Sequence, residues 1–438
     1  MIEKIDGVVS AISGFLYQPY IVPLILVAAG LYFTIRTGLI QFSLFGESVR
    51  VVSEKPKDKR AVSSFGALMV STASRVGTGN IIGVSTAICL GGFGAIFWMW
   101  ITAILGGASA FVESTLAQIY KKRDKDGTSY GGPSYYMQDA LKQRWLGVIF
   151  AVVLILTYAV GYNMLASFNT QDTFSGFGFY DKKTTPIIIG AILAALFAVC
   201  VLGGGRRLTK ITGVLVPVMG VIYVLVSLLV IIMNISAVPT VIKNIFVSAF
   251  DFEAVFGGFA GSCVMWGIKR GLYSNEAGMG SAPNAAATAE VSHPAKQGLV
   301  QMLSVFIDTL LICSATALMC MCANPDGLGA DVAGAAYVQQ CFSVDENQEN
   351  YTFEGYIYNN SNVDIKYVDG YFTLIKIINR NSFQVITDVW IDVQNLPANE
   401  YRQFTVILHQ KDFDIELGDI DSLNYDLNCF EVQTIKVK

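Results

Sequence analysis

The stretch of sequence that decides the fold is residues 65–92, FGALMVSTASRVGTGNIIGVSTAICLGG. It is long enough to cross a bilayer core of about 30 Å, which needs roughly 20 helical residues. Its centre, residues 75–80, is polar and contains two glycines, each of which weakens a helix by about 1 kcal/mol relative to alanine. The pattern predicts a membrane-spanning helix that is broken near its midpoint.

The composition of the whole chain is that of a membrane protein. Of its 438 residues, 53% are hydrophobic and only 15% are charged, whereas soluble domains carry about 25% charged residues. The net charge of −4 and the two histidines leave little for binding polyanions or for zinc chemistry. Composition therefore excludes a typical cytosolic enzyme, a disordered protein and a nucleic-acid-binding protein.

The distribution of charge divides the chain near Cys341–Phe342. Residues 1–342 are 12% charged with a net charge of +5, and residues 343–438 are 24% charged with a net charge of −9. We therefore predict a transmembrane domain over residues 1–342, a linker over 343–350 and a separate domain over 351–438.

Eight segments of the first domain are candidate transmembrane spans, numbered here in chain order. They are residues 19–36, 65–91, 93–119, 146–166, 185–203, 212–233, 252–268 and 298–322. The first could also be read as a signal peptide, but its leader carries acids and further spans follow it at once.

Lysine and arginine decide the predicted orientation, because cytoplasmic loops carry an excess of both. The loops after the odd-numbered spans contain 18 of these residues, including Lys269 and Arg270 after span 7, and the opposite side contains four. We therefore predict a multi-pass protein of the plasma (inner) membrane with its N-terminus outside. An even number of spans also places the C-terminal domain outside.

The interruption of span 2 has the chemistry of a site for a small zwitterion. Free N–H groups where a half-helix begins attract a carboxylate, and free carbonyls where one ends bind a cation. Gly77 and Gly79 would let a ligand approach the backbone. Thr78 and Asn80 add a hydroxyl and an amide. Two structural alternatives remain: the glycines form a helix-packing face, and Arg75 neutralises carbonyls that the break sets free.

A second interruption is predicted in span 7, at residues 256–262, FGGFAGS. If span 1 is a prefix, spans 2–6 form one five-helix unit and span 7 opens a second, so that a broken helix begins each unit. Broken helices at matching places in two repeats mark a substrate site at their interface. Close helix packing is the alternative explanation for these glycines.

Two further polar features are interpreted without a substrate-binding role. RGLYSNEAG (270–278) is placed at the cytoplasmic end of span 7 and is interpreted as a gate or a re-entrant loop. Asp308 in span 8 is interpreted as a capping or packing residue in preference to a proton-coupling one.

Three stretches carry a family resemblance. Residues 74–117, 130–137 (YGGPSYYM) and 267–298 resemble the alanine/glycine:cation symporters, the sodium:alanine symporter family. The resemblance runs through most of residues 1–340 and implies an α-helical polytopic membrane protein with a leucine-transporter-like fold. In that fold a prefix helix precedes two inverted five-helix repeats. The resemblance also implies symport of a small neutral amino acid, alanine or glycine, by alternating access, with Na⁺ as the coupling ion and no organic cofactor.

The same resemblance assigns candidate site residues. Na⁺ would be held by the backbone carbonyls of Ala73 and Val76. Phe259 would be an aromatic wall beside the ligand, although a core-packing phenylalanine is the alternative. The residues that would contact the amino acid are Thr78, Gly79, Asn80, Phe259 and, from the end of span 4, Asn169 or Gln171.

The sequence departs from the family pattern after span 8. The pattern continues to AAYVQQCF (335–342) and stops, which predicts an incomplete second inverted repeat lacking three helices and their cation ligands. A pair of carbonyls is a poor Na⁺ site, because hard cations take about six oxygen ligands. This departure favours an alternative, a transport-incompetent symporter that acts as a membrane anchor.

Residues 351–438 have the pattern of a small all-β sandwich. Alternating apolar and polar residues predict about six short strands. The order GYIYNNS (355–361), FTL (372–374) and LPANE (396–400) weakly resembles an extracytoplasmic β domain of the FxLYD type. The clearest strand patterns are FEGYIYNN (353–360), KYVDGYFTLIKII (366–378), FQVITDVWIDV (383–393) and YRQFTVILH (401–409).

The sequence thus supports two functions, neither of them enzymatic. The first is sodium-coupled symport, with a small neutral amino acid and the lipid bilayer as partners and no nucleic acid. The second is a membrane anchor for an extracellular β domain that binds an extracellular partner. An artefactual fusion of two reading frames near residue 342 is a third explanation.

Overall fold

The computed structural model describes residues 21–54, 56, 61–125, 127–175, 177, 179–202, 204–250, 263–324 and 338, together with five strands between residues 350 and 437. The chain divides into two compact units, Met1–Ser343 and Val344–Lys438.

The first unit is helical and contains long apolar segments. Helix α1 (Ile21–Arg36) is followed by the short helices α2 (Ile40–Ser43) and α3 (Phe45–Val52). The prediction of a polytopic helical membrane protein is confirmed at this level. Among the described residues, five helical segments are long and apolar enough to cross a membrane, namely Gly94–Ile119, Arg144–Asp172, Thr184–Val201, Arg207–Met233 and Pro294–Ala323.

Span 2 is broken where its glycines predict. Helix α4 (Ser64–Arg75) begins at a serine cap, where Ser63 Oγ accepts the Gly66 N–H at 3.0 Å. It ends at Arg75, because Val76 has an extended ψ of 96°. The chain then resumes with a wide π-helical turn (Gly79–Gly83) and helix α5 (Val84–Gly91).

Spans 3 to 6 follow with loops that carry their own short elements. A two-stranded hairpin, β1 (Lys122–Arg123) and β2 (Ser129–Tyr130), precedes the short helix α7 (Pro133–Asp139). A second π-helical turn (Leu156–Tyr162) divides span 4. The remaining helices of these spans are α6 (Gly94–Ile119), α8 (Arg144–Ile155), α9 (Asn163–Asp172), α10 (Thr184–Val201) and α11 (Gly204–Met233). Helix α12 (Val238–Ala249) follows span 6.

The helix of span 7 ends further along the chain than the sequence predicts. Helices α13 (Cys263–Asn275) and α14 (Ala282–Thr288) lie beside α6 and together follow most of its length. The break in this pair is at residues 276–281, between the two helices. The contacts that place the pair are those of Gly267 with Ala95, of Ala277 with Gly106 and of Ala286 with Gln118.

This placement corrects two predictions. The end of span 7 at residue 268 was wrong, because α13 is continuous to Asn275. Placing Lys269 and Arg270 in a loop was wrong as well, since both lie within α13 with their cations over the Trp266 ring at 5.7 and 5.3 Å. Their cytoplasmic side stays a prediction. The predicted interruption at 256–262 lies outside the described residues.

Span 8 consists of α15 (Pro294–Phe306), a third π-helical turn (Ile307–Cys313) and α16 (Ser314–Ala323). It forms the centre of the unit together with α6, because 67% and 56% of the residues in their most apolar windows are buried. The corresponding share is 6%, 0% and 11% for spans 4, 5 and 6. Most of the apolar surface of those three spans is therefore available to lipid or to further protein.

The second unit contains antiparallel strands in two sheets. Strand β3 (Asn350–Tyr358) pairs with β6 (Tyr401–His409), with Asn350 opposite His409. Strand β4 (Ile365–Asn379) lies between β5 (Ser382–Leu396) and β7 (Glu431–Val437). The four clearest strand patterns of the sequence coincide with β3 to β6. Packing of the two sheets into a sandwich stays a prediction.

Candidate functional site

The two interruptions, residues 76–78 and 276–281, lie side by side in the first unit. A Cβ at Gly79 would lie 3.2 Å from the Tyr273 ring and 3.6 Å from the Cα of Ser274, so this approach depends on glycine. From the other side of the first break, Ser74 Oγ donates to the Glu276 carboxylate at 3.3 Å.

The loop of the second break is shaped by positive φ angles and by one carboxylate. Gly278 and Gly280 both have a φ of +81°, which suits glycine. Their N–H groups donate to the two carboxylate oxygens of Glu113 on α6, each at 3.2 Å. Glu113, six residues before the end of α6, thus holds the loop of the second break.

A cavity of about 240 Å³ lies where the two breaks meet span 4. Pockets for drug-sized ligands are typically about 300–1,000 Å³, so this one suits a smaller molecule. One wall is a run of aromatic rings, with centroids 4.8 Å apart between Tyr158 and Tyr162 and 5.8 Å apart between Tyr162 and Tyr273.

Arg75 lines this cavity with part of its hydrogen-bonding capacity unused. The residue is only 3% exposed, and its Nη1 donates to the side-chain oxygen and the carbonyl of Gln301 at 3.4 and 3.5 Å. Its Nε and Nη2 have no hydrogen-bond partner among the described residues. Leaving buried charged donors unsatisfied is costly. The two atoms themselves have no accessible surface, so an anionic group in the cavity would reach them only after the guanidinium turned toward it.

Glu276 lines the same cavity from the second break. It is 1% exposed, and its carboxylate accepts hydrogen bonds from Ser74 and from Ser281, the latter at 2.5 Å. The cavity therefore contains a cationic group from one broken helix and an anionic group from the other.

A second and larger cavity, of about 600 Å³, lies on the other side of the first break. Gly77 and Thr78 line both cavities and form the wall between them. Asn80 and Asn169 line only the larger one.

The predicted substrate residues are distributed over these two cavities. Thr78 and Gly79 border the smaller one. Asn80 is 1% exposed and is engaged with the protein, because its Oδ1 accepts the Gly77 N–H at 2.8 Å and its Nδ2 donates to Asp308 at 2.7 Å.

The end of span 4 brings Asn169, and not Gln171, to a cavity wall beside the break. Gln171 is buried against its own segment, where its Oε1 accepts the Tyr180 hydroxyl at 2.5 Å. Phe259 lies outside the described residues.

The predicted sodium carbonyls lie at the end of α4. In a continuous helix the Gly77 N–H would bond to the Ala73 carbonyl, but here it donates to Asn80 Oδ1. The Ala73 carbonyl is thus released from its helical partner, and the extended Val76 turns its own carbonyl out of the helix. Carbonyl oxygens suit a hard cation, which takes about six oxygen ligands, so these two carbonyls as Na⁺ ligands stay a prediction.

Sequence reasoning missed Glu276 as a site residue and assigned the break of span 7 elsewhere, although it interpreted RGLYSNEAG (270–278) as a gate or a re-entrant loop. A signal was present in NEAGMG (275–280), where an acid precedes two glycines inside an apolar region. The more apolar FGGFAGS stretch drew the prediction instead, because it contains three glycines within a predicted span.

Comparison with known proteins agrees with the family resemblance. The model of the sodium:alanine symporter family matches residues 2–350. The amino-acid carrier protein AlsT of Bacillus subtilis (strain 168) is 49% identical over 314 residues, which are 71% of this chain and 66% of that protein. The probable sodium/glutamine symporter GlnT of the same organism is 45% identical over 322 residues, 73% of this chain and 66% of that protein.

A third relative is covered more fully. The sodium/alanine symporter AgcS of Methanococcus maripaludis is 39% identical over 349 residues, 77% of this chain and 76% of that protein. The chain spans about two-thirds of the length of AlsT and GlnT. Because the family model covers most of the chain and several relatives are similar over the same region, the protein belongs to the sodium:alanine symporter family.

Proposed function

We propose that the first unit binds a small zwitterionic amino acid, alanine or glycine, and carries it by sodium-coupled symport with alternating access. Family membership and the names of the relatives support amino-acid transport coupled to sodium. The leucine-transporter arrangement would place the two broken helices around the substrate, and the two interruptions do lie side by side.

The single observation that carries this proposal is the pair of opposite charges in the 240 Å³ cavity. The unpartnered Nε and Nη2 of Arg75 are two neighbouring buried donors, and turning the guanidinium toward the cavity would give the arrangement that binds both oxygens of a carboxylate. Glu276 supplies the complementary charge for an α-ammonium group. A zwitterion would satisfy both residues at once, whereas an anion or a cation would satisfy one.

The size of the cavity favours a small side chain. Its volume lies below the usual range for drug-sized ligands, and the tyrosines close one side. A Cβ at Gly77 would meet nothing within 4 Å, so the cavity extends to the backbone there. Substrate atoms can therefore contact the main chain of the break itself.

Sodium is a transported partner in this proposal. The carbonyls of Ala73 and Val76 are the residues that would hold it at the end of α4. Movement of the half-helices around the site would open it to one side of the plasma membrane at a time.

The test substitutes the two charged residues of the cavity and compares the effect on alanine binding with the same substitutions in an ion pair outside the cavity. Arg75→Lys removes the two-donor fork, and Glu276→Gln removes the negative charge while keeping the shape. Each variant should weaken binding of radiolabelled alanine to the purified chain in Na⁺ by more than tenfold (about 1.4 kcal/mol).

Arg123→Lys and Glu290→Gln are the matched controls, because these two residues form an exposed ion pair at 3.0 Å outside the cavity. They should leave alanine affinity within twofold. Unchanged affinity in both cavity variants would reject the proposed site. Absence of Na⁺-driven alanine uptake in proteoliposomes, for the chain alone or with a partner that supplies the missing helices, would reject transport.

A second candidate function is a membrane anchor for an external β domain with an extracellular partner. The separate unit of antiparallel strands favours it. The anchor function requires a genuine join near residue 342. The genomic DNA across codons 335–350 tests this assumption, since a frameshift there would remove the anchor hypothesis.

A further inference from the structure

Two buried side chains of α6 hold the two ends of α14, the half-helix that follows the second break. Glu113 accepts the Gly278 and Gly280 N–H groups at 3.2 Å each, in the loop that leads into α14. Gln118 Nε2 donates to the Ala289 carbonyl at 2.9 Å, directly after the last turn of α14. The half-helix is therefore bonded to a continuous helix at both of its ends.

The contact at Glu113 has a chemistry that a neutral side chain would not reproduce. An ionised carboxylate has two acceptor oxygens, and here each oxygen accepts one peptide N–H. A glutamine would present one oxygen and one NH₂ group, so one of the two peptide N–H groups would face a donor. Hydrogen bonds to a carboxylate are also stronger than those to a neutral acceptor.

This carboxylate is costly where it lies. Glu113 is 7% exposed and belongs to a helix that is long and apolar enough to cross a membrane, where a charged group needs compensation. None of the ion pairs among the described residues includes it. The charged groups whose fields reach it, Arg75 and Glu276, have opposite signs. The two loop N–H groups therefore supply most of the compensation, and the carboxylate and the loop depend on each other.

Glu276 depends on the same loop for its position. It lies two residues before Gly278, and its φ of 51° places it at the bend where α13 ends. Its carboxylate accepts the Ser281 hydroxyl at 2.5 Å and the Ser74 hydroxyl at 3.3 Å. The glycines of the loop have many other conformations open to them. Without Glu113 to hold their N–H groups, the loop would lose the constraint that directs Glu276 toward the cavity.

We propose that Glu113 is a positioning residue for substrate selection: it fixes Glu276 where an α-ammonium group would bind, and thereby lets the chain select α-amino acids over the corresponding 2-hydroxy acids. This inference rests on the proposed function, which assigns the ammonium group to Glu276 and the carboxylate to Arg75. A hydroxyl in place of the ammonium group would lose the charge-assisted contact with Glu276 and keep the one with Arg75. Selection between the two classes of acid therefore measures the position of Glu276.

The experiment compares alanine with L-lactate, which has a hydroxyl where alanine has its ammonium group. Dissociation constants for both ligands are measured on the full chain purified in detergent, in Na⁺. In Glu113→Gln the preference for alanine over lactate should fall by more than tenfold, because alanine affinity falls while lactate affinity stays within threefold. Glu276→Gln should reduce the preference to the same extent.

Gln118→Met is the matched control, because it removes a buried hydrogen bond from the other end of the same half-helix and nearly conserves side-chain volume. It should lower the midpoint of thermal unfolding, as Glu113→Gln does, but leave the preference for alanine within twofold. If Glu113→Gln does not fold, Glu113→Asp takes its place, since it keeps the charge and withdraws the carboxylate by one methylene.

Hydrogen exchange tests the position of the loop without any ligand. The amides of residues 277–281 should exchange more than tenfold faster in Glu113→Gln than in the wild type, because two of them lose their acceptor. Gln118→Met should leave the exchange of these amides within threefold.

The outcomes separate this inference from the proposed function. An unchanged preference in Glu113→Gln beside a reduced one in Glu276→Gln would overturn the inference. Equal losses of alanine and lactate affinity in Glu113→Gln, or unchanged exchange of the loop amides, would overturn it as well. An unchanged preference in Glu276→Gln, or no alanine binding by the wild type, would reject the proposed function and the selection role with it. Faster loop exchange in Glu113→Gln would then still assign Glu113 to holding the loop.

Discussion

At the scale of single residues, the proposed site is defined by two buried residues of opposite charge, Arg75 and Glu276. Arg75 is buried and retains two free donors among the described residues, and Glu276 faces the same small cavity. A guanidinium that served only to neutralise the ends of α4 would be expected to use those donors on nearby carbonyls. The observed arrangement favours a ligand over the structural alternative.

Asn80 gives a prediction at this scale. Its amide bonds both the Gly77 N–H and Asp308, so Asn80→Ala removes two buried hydrogen bonds next to the cavity wall. We expect alanine affinity to fall by more than tenfold (about 1.4 kcal/mol) in a radiolabelled binding assay.

The control is Asn234→Ala, because Asn234 bonds only its own helix end at the Val230 carbonyl in the described structure. That variant should bind alanine as the wild type does. Equal affinity in Asn80→Ala would remove this residue from the coupling between break and ligand.

Residue roles were only partly accessible from the sequence. The residue types of VGTGN (76–80) predicted a ligand-binding break, since glycine weakens a helix wherever it stands. The partner across the cavity could not be predicted, because it depends on which residue of a second element reaches the first break. Glu276 does so through a loop that Glu113 holds from α6.

At the scale of elements, three π-helical turns surround the two cavities. They are residues 79–83, 156–162 and 307–313, and they contain Asn80, Tyr158 and Asp308 respectively. A π turn inserts one residue into an α-helix and is frequent at functional sites. The extra residue in each span redirects a polar side chain toward the site while the helix continues across the membrane.

The packing of α13 on α6 gives a prediction for an element. A Cβ at Gly267 would overlap the carbonyl oxygen of Ala95 and lie 2.5 Å from the Cβ of Trp98. Gly267→Ala should therefore separate the two helices and destabilise the fold by about 1–3 kcal/mol. A lower midpoint of thermal unfolding in detergent would show this.

Gly213→Ala is the matched control in α11, where a Cβ would meet nothing within 4 Å. There the substitution should be neutral or raise stability by up to about 1 kcal/mol, through helix propensity alone. A similar unfolding midpoint for both variants would contradict the close packing of α13 on α6.

The ends of helices were predicted less well from the sequence pattern than their presence. Span 2 was located correctly, because its polar centre has apolar sequence on both sides. The end of span 7 was predicted too early in the chain. The cations of Lys269 and Arg270 in α13 are typical of a loop, whereas the helix continues to Asn275. Both side chains lie near the Trp266 ring, and long basic side chains can cover apolar surface in this way.

At the scale of the whole first unit, three loops meet at one end of the bundle. Lys296 Nζ contacts the Glu54 carboxylate at 2.7 Å, and Arg123 contacts Glu290 at 3.0 Å. These residues follow spans 1, 3 and 7, whose loops were all predicted to be cytoplasmic. Ion pairs near the surface add little stability, but these two show that the loops after spans 1, 3 and 7 share one end.

The division into two units gives the prediction for the whole molecule. The described residues that line the two cavities all belong to Met1–Ser343, and so does Asp308. A chain ended after Ser343 should therefore bind alanine within twofold of the full chain. Loss of binding would show that the second unit contributes to the transport function.

Charge distribution predicted the division into two units because membrane and water select different compositions. It could not predict which surfaces of spans 4, 5 and 6 are covered. Apolar residues that face lipid and apolar residues that face another helix have the same composition, and only contacts distinguish them.

The backbone of Glu276 has a φ of 51°, at the point where α13 ends and where glycine is the usual residue. A left-handed conformation costs a residue with a side chain roughly 1–2 kcal/mol. Glycine at this position would remove this conformational cost and raise the free energy of unfolding, but it would also remove the carboxylate. Under the proposed function, this conformational cost keeps a negative charge at the bend where the ammonium group of the substrate would bind.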